Sequence, residues 1–379
     1  MHGRSTARVA AVFVLLLFAL PILLSGSLVQ PAHAQGGTIS VGTSPVGVAV
    51  NPTTDTVYVT NSGDDTVSVI DASTNTVTAT LTVGSGPEGI AFDPSTNTMY
   101  VANAYDGTVS IIDATTNTVS PTTIPVGGVP LGIAYNPSTD TVYVANWNDG
   151  TVQVIDTSTN TVTATLTVGS SPFAVAVDPS TNTVYVTNFG DGTVSIIDAT
   201  TNTVSPTPLT VGGFPTGTAF NPTENTVYVA DWNDGTVSVI DASTNTVSPT
   251  TIPVGISPTG IAVNPTTDTV YVTNSGDGTV SVIDASTNTV TATLTVGSGP
   301  EGIAFDPSTN TMYVANTDDS TVSVLPLGPP PPIPALPFPF AIPVVLAATA
   351  AIYVAIRKTV LGGQAVPVKQ QTQPRSSSR

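Results

Sequence analysis

A closed ring of four-stranded antiparallel sheets, all β apart from one membrane-spanning helix, is predicted for this chain by three observations. The run Tyr58-Val59-Thr60-Asn61 returns at Tyr100, Tyr143, Tyr185, Tyr228, Tyr271 and Tyr313, at intervals of 42 or 43 residues. Within each interval, four short β-branched runs alternate with turn-forming residues. The fourth kind of run is missing from the last unit, and a matching piece stands near the start of the chain. Seven such units predict a seven-bladed β-propeller of four-stranded antiparallel blades, closed by the N-terminal strand.

The first unit shows the pattern in order. Runs 46–50, 56–60, 66–70 and 76–83 are rich in Val and Thr, and turn chemistry follows each one: Asn51-Pro52, then 61–65, then 71–75, then 84–87. No apolar stripe of period 3.6 appears, which excludes a helical repeat. The last unit breaks off after Val322-Ser323-Val324, and Thr38-Ile39-Ser40-Val41-Gly42 supplies the missing run. Ser44-Pro45 follows that piece as Gly86-Pro87 follows Val83-Gly84. The N-terminal strand is therefore expected to complete the last blade and leave no open edge. An open solenoid would need polar capping repeats at both ends, and none is visible. Residues 41–103 and 254–316 differ at only four positions, Thr43/Ile256, Val46/Thr259, Val48/Ile261 and Asp65/Gly278, so these two stretches are expected to share one geometry.

The two ends read as targeting segments. Residues 1–34 carry two Arg, an apolar run and Ala32-His33-Ala34 before Gln35, the pattern of a cleaved secretory signal. After a propeller over 35–325, residues 326–334 form a proline-rich stalk. Residues 335–356 are apolar, uncharged and long enough to cross a bilayer as one transmembrane helix. The tail 357–379 carries five basic and no acidic residues, which places it in the cytoplasm and the propeller outside the cell membrane, in a single-pass arrangement.

Charge and composition exclude several chemistries. All 25 Asp and Glu lie between Asp55 and Asp319, where no Lys, Arg or His occurs. Such a body repels nucleic acid and attracts cations and basic partners. With no Cys, and both His residues (His2 and His33) in the signal segment, Ser-His-Asp and Cys-His nucleophiles and the usual zinc and copper sites are absent. The turn 231–235 resembles a calcium loop only superficially, because its Gly falls one place early and Ala242 stands where a bidentate Glu is required. No cofactor is expected beyond a weakly held divalent cation bridging turns such as Asp64-Asp65 or Asp318-Asp319.

The repeated Tyr-Val-Thr/Ala-Asn, the Gly-Ile-Ala-Phe/Val-Asp/Asn-Pro before it and the Thr-Val-Ser-Val-Ile-Asp after it resemble the YVTN-repeat propellers of archaeal surface-layer and bacterial envelope proteins. The resemblance covers about residues 37–325; Asp231 replaces the usual Asn, and Leu325-Pro326 replaces Ile-Asp. It implies an adhesion, envelope-layer or ligand-binding scaffold with no catalytic residues. The alternative is an extracytoplasmic lactonase- or lyase-like propeller enzyme using carboxylates and a divalent cation.

If the first strand of each unit lines the channel, the Gly-x-x-Pro loops and the turns of the 61–65 type share one face, here the upper face. Residues that differ between units on that face are candidates for binding, because positions the fold requires ought to be alike. The position after Tyr-Val-x-Asn is Trp147, Phe189 and Trp232 in three neighbouring units; Phe173 and Phe214 come from the loops, and Tyr105 from the second unit. With Asp149, Asp191 and Asp234 they are expected to form an aromatic and acidic arc over blades two to five, suited to a carbohydrate or to a basic protein. The opposing expectation is that the rings fill gaps between blades.

Overall fold

The computed structural model describes residues 36–328, and every regular element among them is a β-strand. In blade one, β2 (Pro45–Asn51), β3 (Thr56–Asn61), β4 (Thr66–Asp71) and β5 (Thr76–Thr82) lie in the antiparallel order β2-β3-β4-β5. The pattern repeats through seven sheets, with β2 and its six counterparts packed against one another around the axis. β1 (Thr38–Ser40) pairs with the strand Thr321–Pro326, Ile39 opposite Val322, so the N-terminal segment completes blade seven as its outer strand.

Alternation along β3 explains why its whole length is apolar or buried. Val57 and Val59 project toward blade seven, into a cluster with Ile39, Ile70, Tyr313 and Val322. Tyr58 projects the other way, into the cluster with Val67 of its own blade and Ile90, Met99 and Ile112 of blade two. One such cluster fills each of the seven interfaces between blades, so every blade is buried on both faces. The tyrosine hydroxyls stitch the ring together: Tyr58 donates to Asn117 at 2.6 Å, Tyr100 to Asn160 at 2.8 Å and Tyr313 across the closure to Asn75 at 3.2 Å. Tyr271 has no such asparagine among the described residues, because blade seven draws its outer strand from the other end of the chain and has no hairpin there.

Two local features depart from the expected pattern. In blades two, four and five the outer strand is split in two, as in Thr118–Val119 and Ile124–Pro125. Ser120-Pro121, Ser205-Pro206 and Ser248-Pro249 interrupt it, since proline has no N–H for the ladder, and one extra residue loops out. These are the units that give the 43-residue interval. The last strand also continues through Pro326, and Leu327 is buried with its N–H on the Asn310 carbonyl at 2.9 Å. The packed body thus extends past residue 325, where the sequence reading ended it, and Pro326 belongs to a strand and not to a stalk. The signal peptide, the spacer beyond Gly328, the membrane span and the basic tail lie outside the described residues.

Candidate functional site

Each Gly-x-x-Pro loop is tied to the neighbouring turn of the same blade, which places both on one face. In blade one Ser62 N–H donates to the Ser44 carbonyl at 2.9 Å and Gly63 N–H to that of Thr43 at 3.0 Å. The turn aspartates brace the same loops: Asp149 accepts the Gly128 N–H at 2.7 Å, Asp191 the Ser170 N–H at 2.6 Å and Asp234 the Gly213 N–H at 2.7 Å. Asp64, Asp106, Asp277 and Asp319 do the same in the other four blades. Loop bracing is therefore the common role of this position, with exposed carboxylate surface left over at the face.

The rings converge more closely than their spacing in sequence suggests. Trp147 and Phe189 lie 5.1 Å apart, Phe173 and Phe189 6.3 Å, Phe189 and Phe214 4.7 Å in a near-parallel stack, and Phe214 and Trp232 6.5 Å. They form one contiguous ladder across blades three to five. Phe214 and Trp232 are exposed, and the other three rings are half-buried. Tyr105, 77 % exposed, stands apart in blade two, over Gly86.

The residue before each loop proline adopts the left-handed conformation in all seven blades. Glycine fills it in blades two and seven (Gly86, Gly299) and serine in three others, but blade three has Val129 at φ +54° and blade five Phe214 at φ +56°. A branched or bulky side chain there costs about 1–2 kcal/mol. Val129→Gly is expected to raise stability by about 1 kcal/mol, read as a higher urea midpoint. A lower midpoint would mean that Val129 packing outweighs the strain.

At the centre of the face lies the mouth of the central channel, of about 150 Å³, whose two glutamates sequence reasoning did not single out. Its lining includes Val46, Glu88, Leu131, Phe173, Thr259 and Glu301. Just below runs a ring of glycines, such as Gly47, Gly89 and Gly302, where any Cβ would overlap the carbonyl of the next blade. A bulge frees the Gly47 N–H from the ladder; Thr60 Oγ1 accepts it at 2.7 Å and donates to the Glu88 carbonyl at 2.7 Å. Thr273 fixes the Glu301 carbonyl in the same way at 2.7 Å.

Both glutamates sit in low-dielectric surroundings. Burial pushes the Glu88 carboxyl up to about 7, against the Ser62 hydroxyl at 3.1 Å and helped by the charge of Glu301. Burial, then the charge of Asp318, raises Glu301 as well. Among the described residues no group of three or more His, Cys, Asp or Glu is placed to hold a metal ion.

The fold and the channel define a β-propeller. A family model described as "YNCE-like beta-propeller" matches residues 35–129. No curated protein matches by sequence. Among solved structures, one titled "Kuenenia stuttgartiensis Hydrazine Synthase" superposes with a TM-score of 0.68 at 21% identity, over 79% of this chain and 99% of that one. At this identity the likeness concerns the fold alone.

Proposed function

We propose that this chain is a non-catalytic, membrane-anchored surface propeller of the YVTN-repeat kind whose upper face captures carbohydrate. The observation that carries this reading is the ladder Trp147–Phe173–Phe189–Phe214–Trp232, a graded set of ring faces on the side of the body opposite the exit of the last strand at Pro326. Sugar rings stack on such faces through their C–H surfaces, and Asp149, Asp191 and Asp234, exposed on the turns that brace the loops of the same blades, offer carboxylates for their hydroxyls. The enzyme alternative calls for three or four carboxylates converging at the channel, and the mouth brings two, Glu88 and Glu301.

The test is a glycan array with the full-length chain in neutral detergent, followed by titration of the best ligand. Trp147→Ala and Trp232→Ala are each expected to weaken binding by about tenfold. Unchanged affinity in both variants, or retention of basic proteins and of no glycan, refutes the carbohydrate reading.

A further inference from the structure

We propose that the mouth of the central channel binds a small organic ammonium group, held between Glu88 and Glu301 with its apolar body against Leu131 and Phe173. The site differs from the ladder in chemistry and in most of its residues, so it stands or falls separately from carbohydrate capture.

Three observations converge on a cation with a hydrocarbon portion. The first is the composition of the cavity: two glutamates belong to an otherwise apolar and hydroxyl-bearing lining that includes Val46, Leu131, Phe173 and Thr259. The charge of Glu301 adds to the rise that burial gives the Glu88 carboxyl. The second is the state of the acids. Glu88 takes one hydrogen bond, from Ser62, and the Glu301 carboxylate takes none among the described residues. The third is that the surrounding body offers them nothing: between Asp55 and Asp319 the chain has no Lys, Arg or His, so neither charge has a cationic side chain as partner among the described residues. A positive group from outside lets both carboxylates ionise in place, while water alone leaves them desolvated and opposed.

The wall decides against a bare metal ion. A hard divalent cation takes six or more oxygen ligands; the two glutamates supply a minority of them, and the Val, Leu and Phe side chains that flank them supply none and leave little polar surface to hold the waters that would complete the set. An ammonium makes three donor bonds and tolerates apolar neighbours on its carbon side, such as Leu131 and Phe173 of the lining. The volume of about 150 Å³ limits the guest to a few heavy atoms or to the amino end of a longer molecule.

Calorimetric titration of the full-length protein with n-butylammonium, n-butanol and Ca²⁺ tests this. Saturable one-to-one binding of butylammonium is expected, with n-butanol at least about tenfold weaker. Affinity should rise with pH as Glu88 loses its proton near 7. Glu88→Gln and Glu301→Gln, isosteric changes that remove a buried charge, are each expected to weaken butylammonium by about tenfold with the melting temperature retained or raised. Leu131→Ala is expected to weaken butylammonium and to leave methylammonium unchanged. Absence of saturable binding, equal binding of butanol, or displacement of butylammonium by equimolar Ca²⁺ overturns the proposal.

Discussion

Ile39→Asp is expected to destabilise the propeller by roughly 4 kcal/mol or more, whereas Ser40→Asp, one residue further on, is expected to stay within about 0.5 kcal/mol. Ile39 is 7% exposed and packs among Val57, Ile70, Tyr313 and Val322, so a carboxylate there would be buried with no cationic side chain in reach among the described residues. Ser40 belongs to the same three-residue strand but faces solvent. The contrast is diagnostic because it follows from ring closure and from nothing local. A strand of three residues has negligible stability alone; here it is held by pairing with Thr321–Ser323 and by bonds from Gly36 to Val324 at 2.8 Å and from Val324 to Gly37 at 3.0 Å. Urea midpoints of the two variants give the answer, and equal small losses would falsify the closure.

Raising the pH from 4 to 8 is expected to lower the melting temperature, and the cause is three acids, Asp231 buried and Glu88 and Glu301 half-buried. Burial pushes Asp231 up to about 6 and Glu88 up to about 7, and it raises Glu301. An acid that holds its proton more tightly when folded contributes stability that is full below its unfolded value near 4 and lost as pH rises through the folded value. The window is therefore about pH 4 to 7, and the combined effect is on the order of a few kcal/mol. Turn-capping acids such as Asp71, Asp113 and Asp241 run the other way. Hydrogen bonds from Ser73, Thr115 and Ser243 lower them, so their contribution fades only as pH falls below the ordinary carboxylate range. Mutual repulsion of 25 carboxylates would also weaken the fold as pH rises, which makes the variants decisive. In Asp231→Asn combined with Glu88→Gln and Glu301→Gln, thermal melts should show a markedly flatter profile. A profile as steep as that of the parent would assign the effect to general repulsion.

Asp231 also shows how one departure from a repeat can be read physically. In six blades an asparagine holds this buried place, as Asn61 does, donating to Thr66 and Ser68 at 3.0 and 2.9 Å and accepting from Gly42 at 3.1 Å. Asp231 keeps the geometry with reversed polarity: Thr236 and Ser238 now donate to it, at 3.1 and 2.8 Å, and Gly212 N–H donates at 3.0 Å. Hydroxyls can turn round and amide groups cannot, which is why the substitution is accommodated. The sequence marked Asp231 as an exception; its raised pKa needed the burial.

Repeat number, strand order within a blade, the closing strand and the face carrying the variable aromatics were all legible in the residues, because each follows from local turn chemistry and from counting. The aromatic arc was legible too, since its members belong to adjacent units, although Tyr105 proved to stand outside it. The split outer strands were missed although the signal was present: Ser-Pro within a β-branched run, always in a 43-residue unit. What the chain order could not display was the channel mouth. Glu88 and Glu301 are equivalent positions of the duplicated stretch, 213 residues and five units apart. In a ring of seven, five steps one way are two steps the other, so closure sets them on either side of Val46 in blades two and seven. Separation along a chain grows with every unit, but distance around a ring does not, and only the closed body puts those two carboxylates into one another's field.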